Sequence, residues 1–322
     1  MVVLQALMRL YLHVMHPIIE PIVAKFPWAK HFEMALLRED LSHAFEEGVD
    51  LEWSGNKWRK LKKNLEEAKS RDLHSLITFG GAFSNHIAAT AAAGKAYGFD
   101  TVGLIRGEPY HPLNPTLSKA VDNGMKLYYL SREQYRDRHT LEMQEWVQKR
   151  FGPGFLIPEG GSNELGVEGV EEMMKAVPKD YDYILCPVGT GATLAGIVNG
   201  MEPNQKALGI SVLKNAFDLE DSVRKWVKKE GLSWSIDHDY HFGGYAKVTH
   251  GLVQFINNFK QQFDVLLDPV YTGKMAFAAF RMAAEERIPR GSKILMVHTG
   301  GQQGISGINM SLRRKGMQTI EV

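Results

Sequence analysis

The sequence holds a single cysteine, Cys186, so no intrachain disulfide can form and the fold must rest on its core. A lone thiol suits a reducing compartment, and a cytoplasmic location is expected. No charge sign dominates either: 38 Lys and Arg stand against 37 Asp and Glu, a formal net charge of +1. Such balance excludes a global field that would draw the chain onto nucleic acid or an anionic membrane, so an anionic substrate must be caught locally. No apolar run reaches the roughly 20 consecutive residues that a membrane span requires. The most apolar stretch, residues 1–23, is broken by Arg9, His13 and His16, and no small-residue cleavage pattern follows it. It reads as an amphipathic arm that packs on the body of the protein or on a second subunit. Fixed-period repeats, low-complexity tracts and Pro/Ser-rich linkers are also missing, which excludes a solenoid and domains strung in line. What is present is an ordinary globular chain of 322 residues, long enough for roughly two domains. Glycine, with 31 residues, is the one excess.

Short aliphatic runs alternate with segments of helical period, the pattern of an α/β fold with mostly parallel sheets. Strands are expected at Ser75–Phe79, Thr101–Ile105, Lys126–Tyr129, Tyr183–Val188, Ala207–Val212 and Lys293–His298. Three of them run straight into glycine: Gly80 and Gly81, Gly189 and Gly191, Gly300 and Gly301. In open α/β sheets ligands bind beyond the carboxyl ends of the strands, so these junctions predict several loops lining one cleft, or simply tight turns.

The strongest phosphate signal is the stretch Cys186 to Gly196. A buried strand ends in Gly189, Thr190, Gly191, Ala192 and Thr193, and a helix begins there. Free amides at a helix N-terminus, with two threonine hydroxyls, make an anion cradle, the alternative being a purely structural turn. The dinucleotide fingerprint would need glycine where Leu194 stands, and the Gly-Lys-Ser/Thr ending of a nucleotide P-loop is missing, so the phosphate belongs to neither ligand class. A second segment, Trp53 to Ser70, carries Lys57, Arg59, Lys60, Lys62 and Lys63. Most of these read as a solvated helix face; Lys57 differs because it follows Gly55 and Asn56 in the turn before the helix, where desolvation can turn it into a carbonyl-trapping amine. A third segment puts Ser84, Asn85 and His86 at the first turn of an alanine-rich helix, as a cap or as a carboxylate site. The cluster Asp237, His238, Asp239 and His241 reads as a polar loop and no metal site is expected; Cys186 reads as a core filler.

The segments GNKWRKL, GGAFSNH, VGTGATLAG and DPVYTGK, in this order, resemble the pyridoxal-phosphate enzymes of the tryptophan-synthase-β-like fold (fold type II), specifically the group of 1-aminocyclopropane-1-carboxylate deaminase and D-cysteine desulfhydrase. The likeness runs from Arg38 to Gly301. It implies an α/β architecture of two open, twisted, mostly parallel sheet domains with pyridoxal 5'-phosphate in the cleft between them. Residues 1–60 plus 157–322 would form the large domain and residues 61–156 the inserted small one, in a homodimer.

By this resemblance Lys57 forms the internal aldimine, and Lys60 lies near the cofactor phosphate. Thr190, Gly191, Ala192 and Thr193 form the phosphate turn, and Asn85 binds the phenolic oxygen. Ser84 meets the substrate carboxylate or shuttles a proton, Asn85 and His86 join it, and Tyr245 and Tyr271 line the substrate side. Position 58, usually threonine, is Trp58 here, which alters the expected wall beside the lysine. Thr272 takes the position of the pyridine-nitrogen partner, a glutamate in the cyclopropane deaminases. A hydroxyl leaves that nitrogen neutral, which suits β-elimination, and His86, in place of a common glutamine, points the same way. The resemblance therefore implies a lyase on a small D-amino acid, D-cysteine giving pyruvate, ammonia and sulfide, with Lys57, Ser84 and Tyr271 catalytic. Ring opening of the cyclopropane amino acid, β-replacement, and a silent cofactor-binding protein whose pocket is filled by Trp58 are the alternatives.

Overall fold

Ten strands build two sheets among the residues that the computed structural model describes, 17–42 and 55–322; the expected N-terminal arm lies largely outside them. In chain order they are β1 (Ile19–Pro21), β2 (Glu33–Arg38), β3 (Ser75–Gly80), β4 (Asp100–Arg106), β5 (Lys126–Leu130), β6 (Phe155–Ile157), β7 (Tyr183–Val188), β8 (Lys206–Ser211), β9 (Ser233–Asp237) and β10 (Lys293–His298). The larger sheet has the order β1-β2-β10-β7-β8-β9, parallel except for the β1–β2 pair. The smaller, β5-β4-β3-β6, is parallel throughout.

Helices follow or connect the strands: α1 (Asn56–Ser70), α2 (Asn85–Tyr97), α3 (Pro115–Asp122), α4 (Arg132–Arg136), α5 (Leu141–Phe151), α6 (Glu164–Ala176), α7 (Ala192–Gly200), α8 (Leu219–Arg224), α9 (His250–Phe263), α10 (Thr272–Ala284) and α11 (Ile305–Arg314). The sequence pattern anticipates six of the strands to within a residue or two; it does not show β1, β2, β6 or β9. Strands β1 and β6 are three residues long, too short to display a period.

Strand β7 shows why its sequence is continuously apolar. Leu185 joins the core under α9 and α10, whereas Ile184, Cys186 and Val188 join the core under α6 and α7, so successive side chains are buried on opposite faces. Each fully buried aliphatic side chain contributes on the order of 1.5–3 kcal/mol. The small sheet packs against α1, whose Leu61, Leu65 and Ala68 share a core with Leu76, Ala89 and Phe155. The boundary expected between residues 60 and 61 thus falls inside α1, and the small-sheet strands occupy residues 75–157.

One glycine sets how α1 meets the large sheet. A Cβ built on Gly169 of α6 would lie 1.8 Å from the Arg59 carbonyl oxygen, so α1 and α6 touch through backbone. That contact brings the first turn of α1, with Lys57, to the carboxyl ends of the large-sheet strands.

Candidate active site

A cavity of about 410 Å³ lies between the carboxyl ends of the two sheets. Loops that follow β3, β6, β7, β8 and β10 line it, together with the end of β4, the segment after α4 and the start of α1.

The chain enters α1 through Gly55, whose φ of +85° is open to glycine; a Cβ there would stand 2.4 Å from the Thr299 carbonyl oxygen. The Asn56 amide donates to that same oxygen, tying the start of α1 to the end of β10. Lys57 then reaches into the cavity and donates from Nζ to the Gly160 carbonyl at 3.2 Å. Burial lowers its pKa to about 8, against the opposing pull of Glu159. A neutral amine, the form that attacks a carbonyl, is therefore available close to neutral pH. Lys60, one turn on and only 2% exposed, points to the same carbonyl at 3.5 Å, and burial plus the charge of Lys57 depress it strongly.

The loop after β7 forms one end of the cavity. Gly191 has φ +89° and caps α7, and a Cβ there would crowd Val223 at 2.9 Å. The amides of Thr190, Gly191 and Ala192 donate to no acceptor among the described residues. Thr193 accepts a hydrogen bond from Asn56 Nδ2 at 3.0 Å, and the Thr190 hydroxyl pairs with Ser162 at 2.6 Å. Free amides at a helix start, with hydroxyls beside them, are suited to a phosphate.

On the opposite wall Ser84 caps α2, its Oγ accepting from the Ile87 amide at 3.4 Å; its own hydrogen is free to donate into the cavity. Asn85 lies against Gly301, where a Cβ would sit 2.7 Å from Nδ2. His86 is buried and neutral in a tautomer that its partners determine. The Thr78 hydroxyl gives its hydrogen to the Ile157 carbonyl, so it must accept from Nε2–H of His86 at 2.8 Å. Nδ1 is left a bare acceptor without a partner, and burial and the two lysines hold the ring pKa well below its usual range. Such a group accepts a hydrogen from a ligand and does not supply a positive charge to a carboxylate.

Tyr271 and Tyr245 close the site edge to face with centroids 6.1 Å apart. Burial raises both pKa values, so both are neutral donors. Two buried charges hold them. The Asp268 carboxylate accepts from the amides of Val270, Tyr271 and Thr272, and Lys274 Nζ donates to the carbonyls of His241 and Gly244 beside Tyr245.

Lys57, Lys60, Ser84, Asn85, His86, Thr190, Gly191, Thr193, Tyr245 and Tyr271 thus share one cavity wall or another, as expected together. Ala192 and Thr272 do not reach it. Ala192 is buried behind the loop, and the fully buried Thr272 accepts from the Asp268 amide at 2.9 Å. Trp58 does not shape the wall beside the lysine: it packs into the small-sheet core and stacks on Tyr97 with centroids 6.5 Å apart. The expected cause of a silent pocket is thereby removed. The polar loop is also pinned, with Asp237 bound to Arg287 and His238 to Glu220, and no metal-type cluster occurs among the described residues. Cys186 is buried with its thiol pushed up to about 12.

Sequence reasoning missed Asn56, Arg106, Arg138 and Glu159. Arg106 was within reach of the strand-end rule, since it closes β4. Nothing local marks Arg138.

A desolvated lysine and unpartnered amides with hydroxyls beside them at a helix start fit pyridoxal phosphate, with Lys57 for its aldehyde and Thr190, Gly191 and Thr193 for its phosphate. A sequence profile of the family described as pyridoxal-phosphate dependent enzyme matches residues 53–300. A Thermotoga maritima protein assigned provisionally as 1-aminocyclopropane-1-carboxylate deaminase is 32% identical over 85% of this chain and 90% of its own. The mitochondrial bifunctional D-cysteine desulfhydrase/1-aminocyclopropane-1-carboxylate deaminase of Arabidopsis thaliana is 30% identical, covering 79% of this chain and 70% of its own. Among solved structures, an ACC deaminase homologue superposes with a TM-score of 0.76 at 25% identity, covering 93% of both chains. An O-ureido-L-serine synthase, at 14% identity and a TM-score of 0.63, shares the fold.

Proposed function

Since the chain belongs to the pyridoxal-phosphate-dependent enzymes, in the group of the cyclopropane-carboxylate deaminases and D-cysteine desulfhydrases, we propose that it is a lyase working by β-elimination on a small D-amino acid. One observation carries the choice of elimination. Among the described residues Glu159 is the only carboxylate lining the cavity, and it faces Arg138 at 2.8 Å. Among the described residues no other carboxylate lines the cavity to keep a ring nitrogen protonated. Elimination needs that charge least, because its leaving group departs before much negative charge accumulates on the α-carbon.

When bound, pyridoxal phosphate supplies a carbonyl for amines and a conjugated ring that withdraws electrons from the α-carbon. The chain's own groups do the rest. Thr190, Gly191 and Thr193 hold the phosphate, with Asn56 and Ser162 fixing the two hydroxyls. Ser84 and Asn85 dock the α-carboxylate. Lys57, with its pKa lowered to about 8, takes the α-proton as a neutral amine, and Ser84 or Tyr271 is the second candidate. The paired Tyr245 and Tyr271 hydroxyls donate to the departing sulfur. For D-cysteine the products are pyruvate, ammonia and sulfide.

The test is a side-by-side product assay on D-cysteine, D-serine, β-chloro-D-alanine and 1-aminocyclopropane-1-carboxylate. Pyruvate from the first three and little 2-oxobutyrate from the last is expected. Predominant 2-oxobutyrate would overturn the reading in favour of ring opening.

A further inference from the structure

Three separate segments bring charge to one wall of the cavity. Arg106 ends β4, Arg138 follows α4, and Glu159 follows β6. Both guanidinium groups lie over the same ring, Tyr135, at 6.0 and 4.9 Å from its centroid. Tyr135 is buried and braced edge to face by Phe79, so the platform is rigid. Arg138 is oriented by Glu159 and by a hydrogen bond from Nη1 to the Tyr135 carbonyl, which leaves its Nη2 donors free. Arg106 has no carboxylate or hydrogen-bond partner among the described residues. The wall therefore holds two cations against one anion.

Neither cation is needed by the groups placed so far. The phosphate has the loop after β7, and the α-carboxylate has Ser84 and Asn85. A cyclopropane ring or a bare thiol would leave the wall's excess positive charge unmatched. Planar forks of N–H donors suit a carboxylate or a similar oxyanion.

We propose that Arg106 and Arg138 form a subsite for a second anionic group, carried at the far end of the substrate's β-substituent. The natural substrate is then a β-substituted alanine with a distal carboxylate or comparable oxyanion, joined through a leaving heteroatom such as sulfur. This rests on the elimination reading above. The chemistry balances with one water. The α-proton goes to the base, the C–S electron pair leaves with sulfur, and that sulfur takes a proton. Hydrolysis of the remaining enamine gives pyruvate and ammonium, with the anionic thiol as third product.

The test compares S-carboxymethylcysteine with S-methylcysteine, as D and L forms, on the cofactor-loaded enzyme. The two share a leaving atom and differ in the distal charge. The kcat/KM of the carboxymethyl substrate is expected to exceed that of the methyl one by about tenfold or more, the size of one charge-assisted hydrogen bond. Arg106→Gln and Arg138→Gln should each bring the ratio toward one, and Arg106→Gln, at an exposed residue, is the variant least able to disturb folding. A ratio near one in the native enzyme, or one that neither substitution moves, overturns the subsite while pyruvate production from D-cysteine leaves the elimination reading standing. If no substrate is turned over, the elimination reading fails. The ratio of dissociation constants, read from the cofactor absorbance on titration with the same amino acids, then decides the subsite by the same criterion.

Discussion

The two walls of the cavity are built from different materials. The large-sheet wall is mostly backbone: the unpartnered amides of Thr190 and Gly191, Gly191 at positive φ, and Gly189 under the ring of Tyr271. The small-sheet wall is mostly side chains: Ser84, Asn85, His86, Arg106 and Arg138. A backbone cradle suits a group that is the same in every turnover, such as a cofactor phosphate. A side-chain wall can change with few substitutions, so substrate choice is expected there.

Lys57 stands between the walls, and its loss should have the largest effect. Lys57→Ala is expected to bring turnover to background and to remove the visible absorbance that an amine-linked cofactor shows; full activity would end the assignment. Next is the joint that carries Lys57 to the large sheet. Gly169→Ala forces a methyl group onto the Arg59 carbonyl, and a stability loss of about 1–3 kcal/mol, or more, is expected in urea unfolding. Gly191→Ala tests the backbone wall alone. Strain of about 1–3 kcal/mol at a positive φ predicts roughly tenfold weaker cofactor binding, whereas the KM of the amino acid, measured with saturating cofactor, should move little.

The pH dependence sharpens the contrast further. The Lys57 pKa is lowered from 10.5 to about 8, so the neutral amine grows as pH rises through 8. Capture of pyridoxal phosphate by the apoprotein, followed by absorbance, should accelerate up to about pH 8 and then level, not continue toward 10.5. The smallest effect is expected on the substrate side. Lys274→Met frees the carbonyls of His241 and Gly244 that hold the Tyr245 loop, and KM should rise several-fold with a smaller change in kcat. An equal fall in cofactor affinity would show that Lys274 serves the whole fold and not this wall.

Legibility follows the same division. The loop after β7 could be read because glycines with hydroxyls after a buried strand are a local pattern, and Lys57 through the resemblance of its motif, although it sits in the first turn of α1 and not, as expected, in the turn before it. Six strands could be read because they are long enough to display their apolar runs. Glu159, Arg138 and Asn56 could not, since each matters through partners far along the chain: Arg138 for Glu159, Asn56 for Thr193. Lys274 is a similar case. Its role depends on carbonyls some thirty residues before it, within a loop where Phe242 and Ala246 both adopt positive φ.

By itself the sequence determined the α/β class and the phosphate loop, because hydrophobic period and glycine conformation act within a few residues, while the lysine came from the order of its motifs. Tertiary structure alone decided which neighbours of those residues face the cavity. Successive helix residues point about 100° apart, so Lys57 can enter the cleft only if Trp58 turns into the small-sheet core. Thr272 is likewise spent on Asp268, whose backbone it closes four residues away. The direction a side chain takes is settled by what the packed helix or strand leaves open, and that depends on contacts made across the whole chain.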